Sequence, residues 1–165
     1  MPKAIRMMML ALVTVLFSSS AAAQGFDLKR LFFGAGASVN SVSGADDSVG
    51  AQIFGGYNFP AVARNLYLDA EAGYMDTGNF DRPGCSGGFC GTKANGLWAT
   101  GVIRYLPAPQ VELIGRAGVD VGDDDGPLVG IGAGYIVNPH LKLRFELVVR
   151  DNVDSVQFNV VVYPW

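Results

Sequence analysis

The sequence predicts an all-β fold, an eight-stranded antiparallel up-and-down transmembrane β-barrel. Three observations carry that expectation. Half of the 165 residues are hydrophobic, yet beyond the N-terminus no apolar run is long enough for a membrane helix. The apolar residues recur instead with period two, in eight segments separated by turn-rich residues. The connections between those segments fall alternately into two chemical kinds, as the odd and even connections of such a barrel must.

The first element is not part of the fold. Lys3 and Arg6 precede an apolar run from Met7 to Phe17, followed by small residues ending Ala21-Ala22-Ala23. That is the pattern of a secretory signal cleaved before Gln24. The run is shorter than the roughly 18 residues a spanning helix needs. No Cys stands at the cleavage point, which argues against a lipoprotein. The expected division is therefore residues 1–23 as signal peptide and 24–165 as one barrel domain. Removing Lys3 and Arg6 takes the formal net charge from −3 to −5, and an acidic chain is a poor partner for nucleic acid.

The segments then follow in order. Phe33, Ala35, Ala37 and Val39 share one face of the first, and Val49, Ala51, Ile53, Gly55, Tyr57 and Phe59 one face of the second. In the third, Leu66, Leu68, Ala70, Ala72 and Tyr74 oppose Asp69 and Glu71. In the fourth, Leu97, Ala99, Gly101, Ile103 and Tyr105 oppose Trp98, Thr100 and Arg104. The fifth sets Val111, Leu113, Gly115, Ala117, Val119 and Val121 against Glu112, Arg116 and Asp120. The sixth sets Val129, Ile131, Ala133, Tyr135 and Val137 against Gly130, Gly132 and Gly134. The seventh sets Leu141, Leu143, Phe145, Leu147 and Val149 against Lys142, Arg144, Glu146 and Arg150. The eighth runs from about Ser155 to Trp165.

A soluble β-sandwich also alternates, so the membrane reading rests on further features. Phe33, Tyr57, Phe59, Tyr74, Tyr105, Tyr135 and Tyr163 are placed near segment ends, matching interfacial aromatic girdles. The polar face is rich in Gly, which suits a narrow bore where backbones crowd. The connections after segments two, four and six (Phe59-Pro60 to Asn65, Leu106 to Gln110, Asn138-Pro139-His140) contain Pro and no acid. Those after one, three, five and seven hold Asp46-Asp47, the long Asp76–Asn95 stretch, Asp123-Asp124-Asp125, and Asp151 with Asp154. Plain turns face the periplasm and elaborate loops the exterior in such barrels.

The last segment is the least regular. Tyr163 and Trp165 share a face with Val161, Asn159 and Gln157, while Val156, Phe158, Val160 and Val162 take the other face. Either a bulge switches the register or Pro164 bends the end.

In Gly55-Gly56-Tyr57-Asn58-Phe59, in Leu66 to Tyr74 with Met75-Asp76-Thr77-Gly78, and in the Tyr163–Trp165 ending, the chain resembles the small OmpA-like and OmpX-like outer-membrane barrels. The resemblance spans the mature chain in layout. It implies eight strands, periplasmic termini, exposed loops, and a terminal aromatic signal (Tyr163, Trp165) read by the barrel assembly machinery. It implies an integral protein of the Gram-negative outer membrane, in contact with its lipid and lipopolysaccharide and monomeric.

The candidate site is the inward charge set. Asp69, Glu71, Glu112 and Glu146 face Arg104, Arg116, Lys142 and Arg144. Charges in a narrow lumen are costly unless paired, so a network is expected. It reads as a plug that locks the barrel or, alternatively, as the lining of a narrow channel for ions or small solutes. Eight-stranded interiors are barely wide enough for side chains, which favours the plug.

Cys85 and Cys90, flanking Ser86-Gly87-Gly88-Phe89, suggest a disulfide within the longest loop. Asp46, Asp47, Asp123, Asp124 and Asp125 are weak candidates for a divalent cation, because carboxylates suit hard cations, although acidic loops are usually just solvated. No cofactor is expected. Enzymatic barrels need a base beside a nucleophile or activated water, and the one His, His140, reads as a solvated turn residue. A structural or surface-interaction barrel, with loops presented to an extracellular ligand, is the expected function.

Overall fold

A computed structural model of the chain describes residues 27–43, 45–80 and 92–164. The signal segment 1–23, the pair Cys85 and Cys90, and Trp165 lie outside the described residues. Eight strands follow one another: β1 (Leu31–Ser41), β2 (Ser48–Asn58), β3 (Leu66–Phe80), β4 (Thr92–Ala108), β5 (Val111–Gly122), β6 (Gly126–Asn138), β7 (Leu141–Val149) and β8 (Asp154–Val162). Each pairs antiparallel with the next, and β1 pairs with β8, so the sheet closes on itself. Closure matters because hydrocarbon offers no partner for an open strand edge. A single 3₁₀ turn, Leu28–Arg30, leads into β1, and the Asp27 side chain caps it by accepting from the Lys29 backbone N–H.

The register puts the alternating sets on the expected sides. Apolar side chains such as Val49 and Ile131 point outward, 74% and 67% exposed, whereas Arg144, Glu112 and Glu146 inside are fully buried. Polar inside and apolar outside is the inverse of a soluble barrel and the arrangement that lipid requires. Small residues allow the tight bore. The ring of Phe54 lies over Gly34 of β1 and that of Phe32 over Gly56 of β2, where an added Cβ would stand 2.2 Å from each ring.

Two expectations are corrected. The stretch Asp76–Asn95 is not all loop, because β3 and β4 run on past Asp76↔Asn95 and, after a register irregularity, pair Asn79 with Lys93 and Phe80 with Thr92. Polar residues can extend a hairpin where no hydrocarbon demands apolar alternation, and Gly78 at φ 77° accommodates the irregularity. In the last strand, pairing with β7 and β1 runs without a register shift from Asp154 to Val162. The lumen-side series therefore continues to Tyr163. Val161 is fully buried, and the Tyr163 ring packs on Phe32 with centroids 5.1 Å apart. Tyr163 is thus not a girdle residue. A smaller difference concerns Leu106–Gln110, where β4 continues to Ala108 past an irregularity after Tyr105.

Candidate functional site

Eight inward charges of β3, β4, β5 and β7 form one connected network. Arg104, on β4, donates from Nε and Nη2 to the Asp69 carboxylate of β3 and from Nη1 to Glu112 Oε2 of β5 at 3.0 Å. Lys142 Nζ reaches the same Glu112 oxygen at 3.3 Å. Arg116 Nη2 donates to Glu71 Oε2 at 2.9 Å, and its Nε stands 2.8 Å from Glu146 Oε2. Arg144 bridges the bore, donating to Glu71 and standing 3.4 Å from Glu112 and 3.8 Å from Asp69. All eight side chains are at most 10% exposed. Four acids meet four bases, so the network carries no net charge.

Period two explains how the sequence arranges this. Asp69 and Glu71 are two apart, as are Lys142, Arg144 and Glu146, and each set points inward from one strand. β6 supplies glycines instead, and a Cβ at Gly134 or Gly130 would lie 2.6 Å from Glu112 or 2.9 Å from Arg116. Each cation also faces an aromatic ring. Arg104 lies over Tyr67 at 5.4 Å, Arg116 over Trp98 at 5.3 Å, Lys142 over Tyr163 at 4.6 Å and Arg144 over Phe32 at 5.6 Å. Such contacts stabilise desolvated cations. These rings sit among polar residues on the inward face, and that placement is the signal by which they could have been found.

Two further polar clusters line the bore, and their pairing was not read from the sequence. Asp120 and Arg150 pair at 2.9 Å near the loop end, and Arg150 also donates to Ser155, which donates to Asn40 at 2.7 Å. Across the seam of β8, β1 and β2, Gln52 donates to Gln157 and Asn159 at 2.8 and 2.7 Å, and Asn159 donates to Glu146 at 3.2 Å.

The acidic loop residues are not brought together into a ligand set. Among the described residues, no three His, Cys, Asp or Glu side chains stand where they could hold a metal ion. Asp123 accepts from the Asn95 N–H at 3.1 Å, Asp125 from the Gly122 N–H at 2.6 Å, and Asp124 from the Asn152 side chain at 2.7 Å. Those carboxylates tie loop backbones, while Asp46 and Asp47 are exposed. His140 does more than sit in solvent, since its Nδ1 lies 2.9 Å from the Tyr163 carbonyl and its own carbonyl accepts from the Tyr163 N–H.

The comparisons agree with this architecture. A de novo designed transmembrane β-barrel is similar at 23% identity and a TM-score of 0.55, over 84% of this chain and 98% of that one. Ail, the attachment invasion locus protein of Yersinia pestis, is similar at 11% identity and a TM-score of 0.53, over 81% of this chain and 95% of its own. At such identities the likeness concerns the fold. A search of curated proteins finds no match. The family model described as outer membrane protein beta-barrel domain matches residues 9–161, and the chain belongs to that family of the outer membrane.

Proposed function

We propose that this chain is a structural and surface-interaction barrel of a Gram-negative outer membrane, its bore plugged by charged side chains. The observation that supports it best is the set of eight buried charges that balance one another from four strands. A conducting file would leave like charges facing water. Here each acid is in contact with a base and each base lies over a ring.

The protein is exported by a signal cleaved near Ala23, with a Cys85–Cys90 bridge in the longest loop. It works as a monomer among lipid and lipopolysaccharide and meets extracellular ligands through its acidic loops. The barrel carries no catalysis, and its His140 ring is engaged with the Tyr163 carbonyl.

The experiment is a deletion strain complemented with the full barrel or with a barrel whose loops after β1, β3, β5 and β7 are shortened. Loss of detergent resistance restored by both, with surface adhesion restored only by the full barrel, supports the proposal. Normal envelope integrity and adhesion in the deletion strain would refute it. A second reading, a narrow channel, draws on buried polar atoms left without hydrogen bonds in the mid-lumen: Trp98 Nε1, Thr100 Oγ1, Gln52 Oε1 and Gln157 Nε2. Planar-bilayer conductance separates the two.

A further inference from the structure

We propose that the lipid-facing wall carries a selective site for an anionic phospholipid of the inner leaflet, with its acyl chain in a groove and its phosphate at Lys29, Arg30 and Arg64. This rests on the reading that the end bearing both termini is periplasmic.

The groove follows from the outward residues of β3–β5. Ala72 pairs with Ala99, and Ala70 with Gly101, which pairs in turn with Ala117. Gly115 adjoins them opposite Ile103. These small residues recede between bulkier flanks, and a Cβ placed at Gly101 would meet nothing within 4 Å. The hollow has a volume of about 1460 Å³ and runs down to Phe33, Tyr57 and Phe59. The opposite wall has no such smooth surface, since Phe145 and Phe158 each project there with 51% exposure. A hollow in hydrocarbon is filled by lipid chains, because an unfilled gap forfeits dispersion contacts on one side.

The foot of the groove supplies the headgroup contact. The turn Leu28–Arg30 lies against the end of β2, where the Asp27 N–H reaches the Tyr57 hydroxyl at 3.4 Å and Arg30 Nη1 reaches the Asn58 carbonyl at 3.5 Å. Arg64 is exposed in the neighbouring connection between β2 and β3. Arg30 is only loosely held by Asp27, at 3.6 Å with both side chains over a third exposed, so it stays available to a phosphate. Leu28 and Val62, each 59% exposed, give this rim apolar contacts with the membrane.

Charge decides which lipid fits. Among the described residues, Asp27 is the single carboxylate on this rim, against Lys29, Arg30 and Arg64. The other rim carries Asp46, Asp47, Asp123, Asp124, Asp125 and Asp151. Basic residues at a membrane surface attract anionic headgroups, so the attraction is confined to the end where the groove opens.

The test uses the full mature barrel in nanodiscs of equal phosphatidylglycerol and phosphatidylethanolamine, followed by native mass spectrometry of the lipid it retains. Only protein that runs as a compact unboiled band and shifts on boiling is compared, which separates lost selectivity from a lost barrel. Wild type should retain phosphatidylglycerol on the order of tenfold over phosphatidylethanolamine. The variant Lys29→Gln/Arg30→Gln/Arg64→Gln should retain the two near parity, and Gly101→Leu, which fills the groove, should retain less of both. Equal retention by wild type, or undiminished preference in the charge variant, overturns the proposal. On intact cells, protection of Lys29 from an impermeant amine reagent supports the inner-leaflet source. Modification of Lys29 there would refute the orientation on which that source rests, whatever the nanodiscs show.

Discussion

From β3 to the end of β7 the bore presents ten buried charges, the eight of the network and the Asp120–Arg150 pair, whereas along β8, β1 and β2 it presents Ser38, Asn40, Ser48, Gln52, Ser155, Gln157 and Asn159. The charged wall is built from strands joined by successive hairpins, so Arg104 meets Glu112 only eight residues away. The neutral wall is the seam where the two ends of the chain meet, and Ser155 bonds Asn40 across 115 residues of sequence. The difference is physical. An unpaired buried charge costs far more than an unpaired amide or hydroxyl. The seam carries neutral groups, which tolerate incomplete pairing better than charges do.

That contrast is broken most sharply at Arg144, which is fully buried against Glu71 and near Glu112. Arg144→Met leaves four buried acids facing three bases, one negative charge in excess, and should cost about 3–5 kcal/mol. Urea unfolding in detergent, followed by the boiling-dependent band shift, measures it. Adding Glu71→Gln should recover part of that loss, because the two sites share one network. Simple additivity would mean that the network is not coupled.

At the seam the expected effect is smaller. Gln52→Ala removes two hydrogen bonds to neutral partners and should cost about 1–2 kcal/mol in the same assay. A loss as large as that of Arg144→Met would erase the distinction between the walls.

The smallest effect lies outside the membrane, where β3 and β4 overrun. Lys93 and Asp76 pair there at 2.6 Å, Lys93 exposed and Asp76 half-buried. The hydrogen bond from Lys93 holds the Asp76 carboxyl below its usual range, and the same bond raises Lys93 above its own. The depressed acid gives a contribution present above the ordinary carboxylate range and lost as pH falls through the lowered value. The raised amine gives one that persists up to the ordinary lysine value and fades as pH climbs past the raised one. Protease sensitivity of the β3–β4 end should therefore be flat near neutrality and rise at acid pH. Lys93→Ala should weaken that pH dependence, the Gly78 N–H bond to Asp76 remaining, and leave barrel unfolding unchanged.

Much of this was legible because period two is a strict code in a membrane barrel. Val129, Ile131 and Ala133 could face only lipid once Gly130, Gly132 and Gly134 were set inward, and the eight inward charges followed from the same rule. The code lapses where hydrocarbon ends. Asp76–Phe80 and Thr92–Asn95 pair as strands without apolar alternation, so turn-forming residues there read as loop. Tyr163 misled for a different reason. An aromatic near a strand end reads as a girdle residue, but unbroken parity through Asn159 and Val161 carries it to the lumen, against Phe32 and Lys142. The seam amides went unread because Gln and Asn on an inward face look like ordinary polar positions until the register brings Gln52 to Gln157.

The central claim is that balanced charges close the bore, and planar-bilayer recording of the purified, heat-modifiable barrel tests it most directly. The account predicts no stable conductance from wild type and intermittent openings from Arg144→Met, in which the group bridging the lumen is gone. A steady, ion-selective conductance from wild type, unchanged by Arg144→Met, would contradict the plug and establish a channel in its place.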